Sequence, residues 1–198
     1  MSALSELHKE IARCQQCELY GYETRAVPGE GSENAEVMFI GEAPGWHEDQ
    51  QGRPFVGPAG QFLDQLLSSI HLKREQVYIA NVIKHRPPDN RDPLPSEITA
   101  CKPWLDSQIA MIKPRMIVTL GRYSMAMFFP GKVISRIHGT AQKRDGIIYF
   151  AMYHPAAALH QPSLRKEIEA DILKIPDILA EAKGVSEAKP QAQQLSMF

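Results

Sequence analysis

No apolar run in these 198 residues approaches the roughly 20 that a membrane-spanning helix needs, which excludes a spanning segment of that kind. The first residues, MSALSELHKEIARC, are amphipathic and lack the apolar core of a signal peptide, so the expected location is cytoplasmic. An excess of either charge is missing too: the net charge is −1, which alone suggests no polyanionic partner. Internal repeats are absent. Cysteine is scarce, three in all, and two stand as Cys14-Gln15-Gln16-Cys17. In a cytosolic chain that spacing points to metal or redox chemistry more than to a structural disulfide. The redox form wants a strand before the motif and a helix after it. Here a helical pattern precedes it and a Gly/Pro-containing loop follows, which favours ligation. Two cysteines are only half a site, and two incidental thiols is the other reading.

Charge is unevenly spread. The first 70 residues carry four Lys/Arg against eleven Asp/Glu, and the remainder eighteen against twelve. The second part is basic enough for a local phosphate-binding surface, although a mixed solvated surface would look the same.

Near-continuous apolar runs at 37–40, 77–83, 116–120 and 147–153 have the pattern of strands buried on both faces of a parallel sheet. Helical patterns lie between and around them: 3–13, 59–70, 96–112 starting at Ser96, about 122–129, and about 163–183 interrupted at Pro176. The alternation predicts an α/β fold, a three-layer αβα arrangement around a mostly parallel four-stranded sheet. Length and pattern predict one domain over 1–183. From Gly184 the composition turns to Ser, Lys, Pro, Gln and Ala, which reads as a flexible tail.

The richest stretch is Gly41 to Gly60, GEAPGWHEDQQGRPFVGPAG, with five glycines and three prolines after the first strand. It reads as a long loop without secondary structure of its own, and Trp46, Phe55 and Val56 as buried types argue for an ordered, functional one. The other strands also end in chemistry: Asn81 to Lys84 and then His85-Arg86-Pro87-Pro88-Asp89-Asn90-Arg91, Gly121-Arg122, and His154-Pro155. Parallel strands deliver their carboxyl ends to one edge of the sheet, so these loops should converge on a ligand site.

GEAPG at 41–45, the Glu48-Asp49 pair, GRPFVGPAG at 52–60, IANVIKHRPPDNRDP at 79–93 and HPAAAL at 154–159 together resemble the uracil-DNA glycosylase superfamily, most closely its iron–sulfur-containing family 4. The resemblance spans about 10–180. It implies a monomeric, monofunctional enzyme that flips uracil out of DNA and hydrolyses its glycosidic bond, leaving an abasic site. By the same resemblance Phe55 stacks on the base, Asn81 reads its edge and His154 donates to the departing base, with backbone N–H groups from Gly41 to Ala43 adding to it. Ala43 stands where some branches carry Asp, which leaves Glu42 as the carboxylate for water or the cationic sugar. Glu48 is implied to shape the wall facing the base C5. His47 and Asp49 are expected to serve the loop itself. The rivals are a catalytically silent DNA- or clamp-binding module and a hydrolase of free nucleotides.

The family holds a 4Fe–4S cluster on four cysteines. Cys14, Cys17 and Cys101 match three of those places and His85 stands at the fourth. This leaves a His-ligated cluster, a three-iron form or structural zinc. A superfamily branch that traps uracil-DNA covalently carries a basic insertion absent here, so turnover is expected. Lys84, Arg86, Arg91, Arg122 and Arg165 are candidate phosphate contacts, each also readable as ordinary surface charge. The C-terminal Gln194-Leu195-Ser196-Met197-Phe198 resembles the Q-L-S/D-L-F sliding-clamp motif, with Met for Leu at Met197; a chance match is the alternative.

Overall fold

The structure is a computed structural model that describes residues 2–22 and 24–182. The candidate clamp-binding residues Gln194, Leu195, Met197 and Phe198 lie outside the described residues.

Four strands form the expected parallel centre: β2 (Val37–Gly41), β3 (Tyr78–Asn81), β4 (Met116–Leu120) and β6 (Ile147–Met152). Among the described residues the sheet has six strands, not four. Its order is β1-β3-β2-β4-β6-β5, with β1 (Glu30–Gly31) and β5 (Ala141–Arg144) added antiparallel at the two edges. These edges escape a search for apolar runs. One is two residues long, and every residue of the other is exposed, with Lys143 and Arg144 charging it against further pairing. The β5–β6 hairpin does have a sequence signal: Asp145-Gly146, both at positive φ (52° and 82°), the dipeptide that two-residue hairpin turns favour.

Two apolar layers cover the sheet, in keeping with its period of two. Phe39, Ile79, Val118 and Phe150 face α3 (Pro58–Ser69) and α8 (Leu164–Ile172) through Phe62, Leu63, Leu66, Ile168 and Ile172. Met38, Ile40, Ala80 and Ile117 face α1 (Ala3–Ile11), α4 (Pro95–Ile112) and α5 (Arg122–Phe128) through Leu4, Leu7, Ile11, Leu105 and Met125. The result is the αβα sandwich, completed by α2 (Trp46–Gln51), α6 (Ile134–Ile137), α7 (Pro155–His160) and α9 (Ile175–Ala182). Among the described residues no helix is long and apolar enough to cross a membrane.

Several local readings need correction. The 41–60 stretch is not without structure: α2 lies inside it, ended by Gly52 in the left-handed conformation (φ 68°). Trp46 is not buried; it is 52% exposed at the start of that helix. Ser96 does not cap α4. Leu94 is its N-cap and Pro95 its first residue, while Glu97 accepts the Leu94 N–H at 2.8 Å. The break near Pro176 falls before it, at Leu173–Lys174, because a proline is tolerated in the first turn of α9.

Arg74 fastens the far end of the 41–60 stretch. Its guanidinium reaches the Pro54 and Phe55 carbonyls (2.6 and 3.0 Å), Asp64 on α3 (2.9 Å) and Glu30 on β1 (2.9 Å). It thereby holds Phe55, whose φ of 52° is costly for an aromatic residue. Arg74→Ala is expected to lower the unfolding free energy by about 2 kcal/mol, or Tm by about 4–8 °C, in thermal or urea unfolding. An unchanged midpoint would show that the fastening contributes nothing.

Candidate active site

The carboxyl ends of the parallel strands open onto a cavity of about 500 Å³, whose lining includes Glu42, Ala43, Glu48, Phe55, Asn81 and His154. Strand register brings the first two elements together: Gly41 of β2 pairs with Asn81 of β3. A side chain at Gly41 would lie 2.4 Å from Asn81 Oδ1 and 2.6 Å from the Phe55 ring, so only glycine lets the amide and the ring approach each other there. Asn81 is 1% exposed, and its Oδ1 has no hydrogen-bond partner among the described residues. A buried, unpaired acceptor is costly unless a ligand supplies the donor.

His154 caps α7. The Ala156 N–H donates to its Nδ1 at 3.1 Å, which fixes the neutral ring with its proton on Nε2. Burial lowers its pKa to about 4, with the Glu48 charge opposing. At neutral pH it is therefore an uncharged donor. Its ring stacks on Phe55 at 5.4 Å and 28°.

Glu48 organises the loop. Its carboxylate accepts the N–H groups of Gly45 (3.1 Å), Val56 (2.8 Å) and Gly57 (2.8 Å), drawing both ends of the loop around α2. Asp49 similarly accepts the Arg25 N–H at 2.8 Å, whereas His47 packs against Trp46. Glu42 differs: its carboxylate has no hydrogen-bond partner among the described residues. Burial raises its pKa to about 7, helped by the charge of Asp92 and opposed by Arg122. Asp92 itself lines the cavity, pairs with Arg122 and accepts from the Tyr123 hydroxyl. Neither Asp92 nor Tyr123 was singled out by sequence reasoning; in the 79–93 segment the basic residues drew attention away from this carboxylate.

The candidate phosphate contacts are distributed differently from one another. Lys84 is ruled out as a surface contact. It is 0% exposed, its Nζ bonded to the Asn81 carbonyl and to Gln108 Oε1, both at 2.8 Å. Val82 and Ile83 before it are fully buried as well. Arg91 lines the cavity and forks onto Glu97 (3.0 and 2.6 Å). Arg122 stands at the rim over the Tyr123 ring. Arg86 bonds Asn90 Oδ1 at 2.7 Å. Arg165 lies apart from these, over Phe62 of α3 and paired with Glu169.

The three cysteines are free thiols near one another: Cys14 and Cys17 both act on the charge of Cys101. Each sulfur has an N–H donor. Trp104 Nε1–H reaches Cys14 at 3.2 Å, the Leu19 and Tyr20 amides face Cys17, and the Lys84 amide faces Cys101. Burial raises the Cys17 and Cys101 thiols, the latter to about 11. His85 is 3% exposed and its Nδ1 lacks a partner, yet the charge acting on it is that of Asp49, not a cysteine. Among the described residues no three of these donor types are drawn around one point as a single metal ion requires. Three adjacent sulfurs with N–H donors and an imidazole with an unpartnered nitrogen nonetheless fit, as a donor set, the thiolate-rich ligation of an iron–sulfur cluster.

The sequence profile of the uracil DNA glycosylase superfamily matches residues 28–174, which contain the parallel strands and the cavity. A type-4 uracil-DNA glycosylase of Sulfurisphaera tokodaii is 48% identical over 188 residues, covering 90% of this chain and 86% of the relative. One from Archaeoglobus fulgidus is 44% identical, covering 90% and 94%. Another, from Thermotoga maritima, is 40% identical, covering 84% and 89%. From the profile and these long alignments together, the chain belongs to the uracil-DNA glycosylase superfamily, alongside its type-4 members.

Proposed function

We propose that this protein is a monofunctional uracil-DNA glycosylase that excises a flipped uracil and leaves an abasic site. The observation that carries the reading is the buried, unpartnered Asn81 Oδ1 beside Phe55, in the same cavity as a neutral His154. Uracil presents a ring N–H beside a carbonyl, which an amide can meet with its oxygen and its NH2 together. Cytosine presents the opposite polarity and would leave both pairs unsatisfied.

Breaking the glycosidic bond sends its electron pair to the base and leaves a cationic sugar, to which water adds with loss of a proton. The neutral His154 donates from Nε2 toward the base carbonyl where negative charge collects, without itself losing a proton. Glu42, unpaired by hydrogen bonds, suits the opposite task when ionised: facing the cationic sugar or orienting the water. Glu48 already accepts three N–H groups and serves the wall rather than the chemistry.

Cys14, Cys17 and Cys101, with His85 as the fourth ligand, are proposed to hold a 4Fe–4S cluster. When bound, the cluster supplies a structural tie between the N-terminal segment and the 85–101 region. Support comes from the N–H donors on each sulfur and the unpartnered His85 Nδ1. The exposed arginines are proposed to meet DNA phosphates, and residues 194–198 to dock to a sliding clamp. The enzyme is expected to act as a monomer in the cytoplasm.

Incubation with uracil-containing single- and double-stranded oligonucleotides, followed by alkali, should break strands only at uracil. Asn81→Ala and His154→Ala are expected to lose about 10²–10³-fold in rate. No breaks on either substrate would favour a silent DNA-binding module, and release from mononucleotides alone would favour a free-nucleotide hydrolase. Purified protein should also be brown and contain iron and inorganic sulfide. A colourless protein with stoichiometric zinc would sink the iron assignment.

A further inference from the structure

Lys84 is a buried ammonium for which the proposed chemistry has no use. Among the described residues it has no carboxylate within ion-pairing reach; its partners are a carbonyl and an amide oxygen. Burying a charge in this way is expensive, so what those two bonds secure is informative.

The Asn81 carbonyl stands where β3 loses its neighbour. The antiparallel register of β1, Glu30 opposite Ile79 and Gly31 opposite Tyr78, would set Pro28 opposite Asn81 if continued. Proline has no N–H to offer. Lys84 Nζ supplies the missing donor at 2.8 Å, from three residues further along the same chain. Its second bond anchors the ammonium to Gln108 of α4, which in turn donates to the Pro28 carbonyl (2.6 Å) and the Tyr78 hydroxyl (2.9 Å). Tyr78 meets His8 of α1 at 2.6 Å. The Lys84 main chain is held as well: its carbonyl accepts from Val27 at 2.7 Å, and its amide faces the Cys101 sulfur. The network therefore runs from α1 and α4, two of the helices on one face of the sheet, to the backbone of the residue whose side chain faces the cavity.

We infer that Lys84 is a positioning residue for base recognition: it fixes the backbone of Asn81 from inside the protein and links it to the thiol-bearing helix α4. The inference rests on the base-reading role proposed for Asn81. A displaced Asn81 amide would meet the uracil edge poorly, and misplacement of about 1 Å in a catalytic site can cost about 100-fold.

The test compares wild type, Asn81→Ala and Lys84→Met on uracil-containing single-stranded oligonucleotide, below the unfolding transition of each as followed by circular dichroism. Lys84→Met keeps the length of the chain and removes the charge and the donors. It is expected to raise KM for the uracil strand about tenfold or more, and to narrow the preference for uracil over cytosine, while the folded signal is retained. A merely structural lysine would lower the melting temperature and leave KM and base preference at wild-type values; that result overturns the inference. If Lys84→Met does not fold, Lys84→Arg, which keeps the charge but moves the donors, decides the question by the same two readouts. Wild-type behaviour of Asn81→Ala would overturn the base-reading role and this inference with it. An impaired Asn81→Ala beside an unimpaired Lys84 variant would overturn this inference alone.

Discussion

Three backbone N–H groups converging on the Glu48 carboxylate are the constraint on which the cavity depends. The stretch from Gly41 to Gly60 would otherwise have many paths between strand and helix. By binding Gly45 on one side of α2 and Val56 and Gly57 on the other, Glu48 closes the stretch into a rigid wall. Phe55, at the closure, is pressed into a left-handed backbone conformation. Arg74 holds its carbonyl from below, and Gly60 leaves room where a Cβ would strike that same carbonyl at 1.9 Å. Strain at one aromatic residue is thus sustained by ionic and steric contacts around it.

The same compactness sorts the charges. Enclosure keeps His154 neutral and raises Glu42 to about 7, while Glu48 is taken up by three N–H donors of the loop. One imidazole and two carboxylates in one cavity therefore acquire different tasks from their surroundings rather than from their residue types. Asp92 and Arg122 belong to this arrangement, acting on Glu42 in opposite directions from the rim.

The parallel core was legible because its strands are apolar on both faces and end in Gly41, Asn81, Gly121 and His154. Those ends meet at one edge by topology alone. The edge strands were not legible, since Ala141-Gln142-Lys143-Arg144 buries nothing and carries no apolar alternation. Trp46 misled because a large aromatic is usually buried, whereas the first residue of α2 faces solvent. Lys84 misled in the opposite sense: a lysine in a basic segment reads as surface charge, and only the missing N–H of Pro28 and the reach of Gln108 explain its burial. Arg74 went unnoticed because its four partners lie on separate segments, a kind of fastening that no local pattern encodes.

In the proposed chemistry a neutral His154 and an ionised Glu42 divide the developing charge within one cavity. Single-turnover excision from a uracil oligonucleotide, followed over roughly pH 5 to 9, separates their roles. The carboxylate form of Glu42 gains population as pH rises, so the rate should climb through about pH 7. That limb should vanish in Glu42→Gln, leaving a slower and flat profile, because His154 stays neutral across the whole range. A limb that survives Glu42→Gln and disappears in His154→Gln would mean that the histidine titrates during catalysis, and would overturn the division of charge between the two.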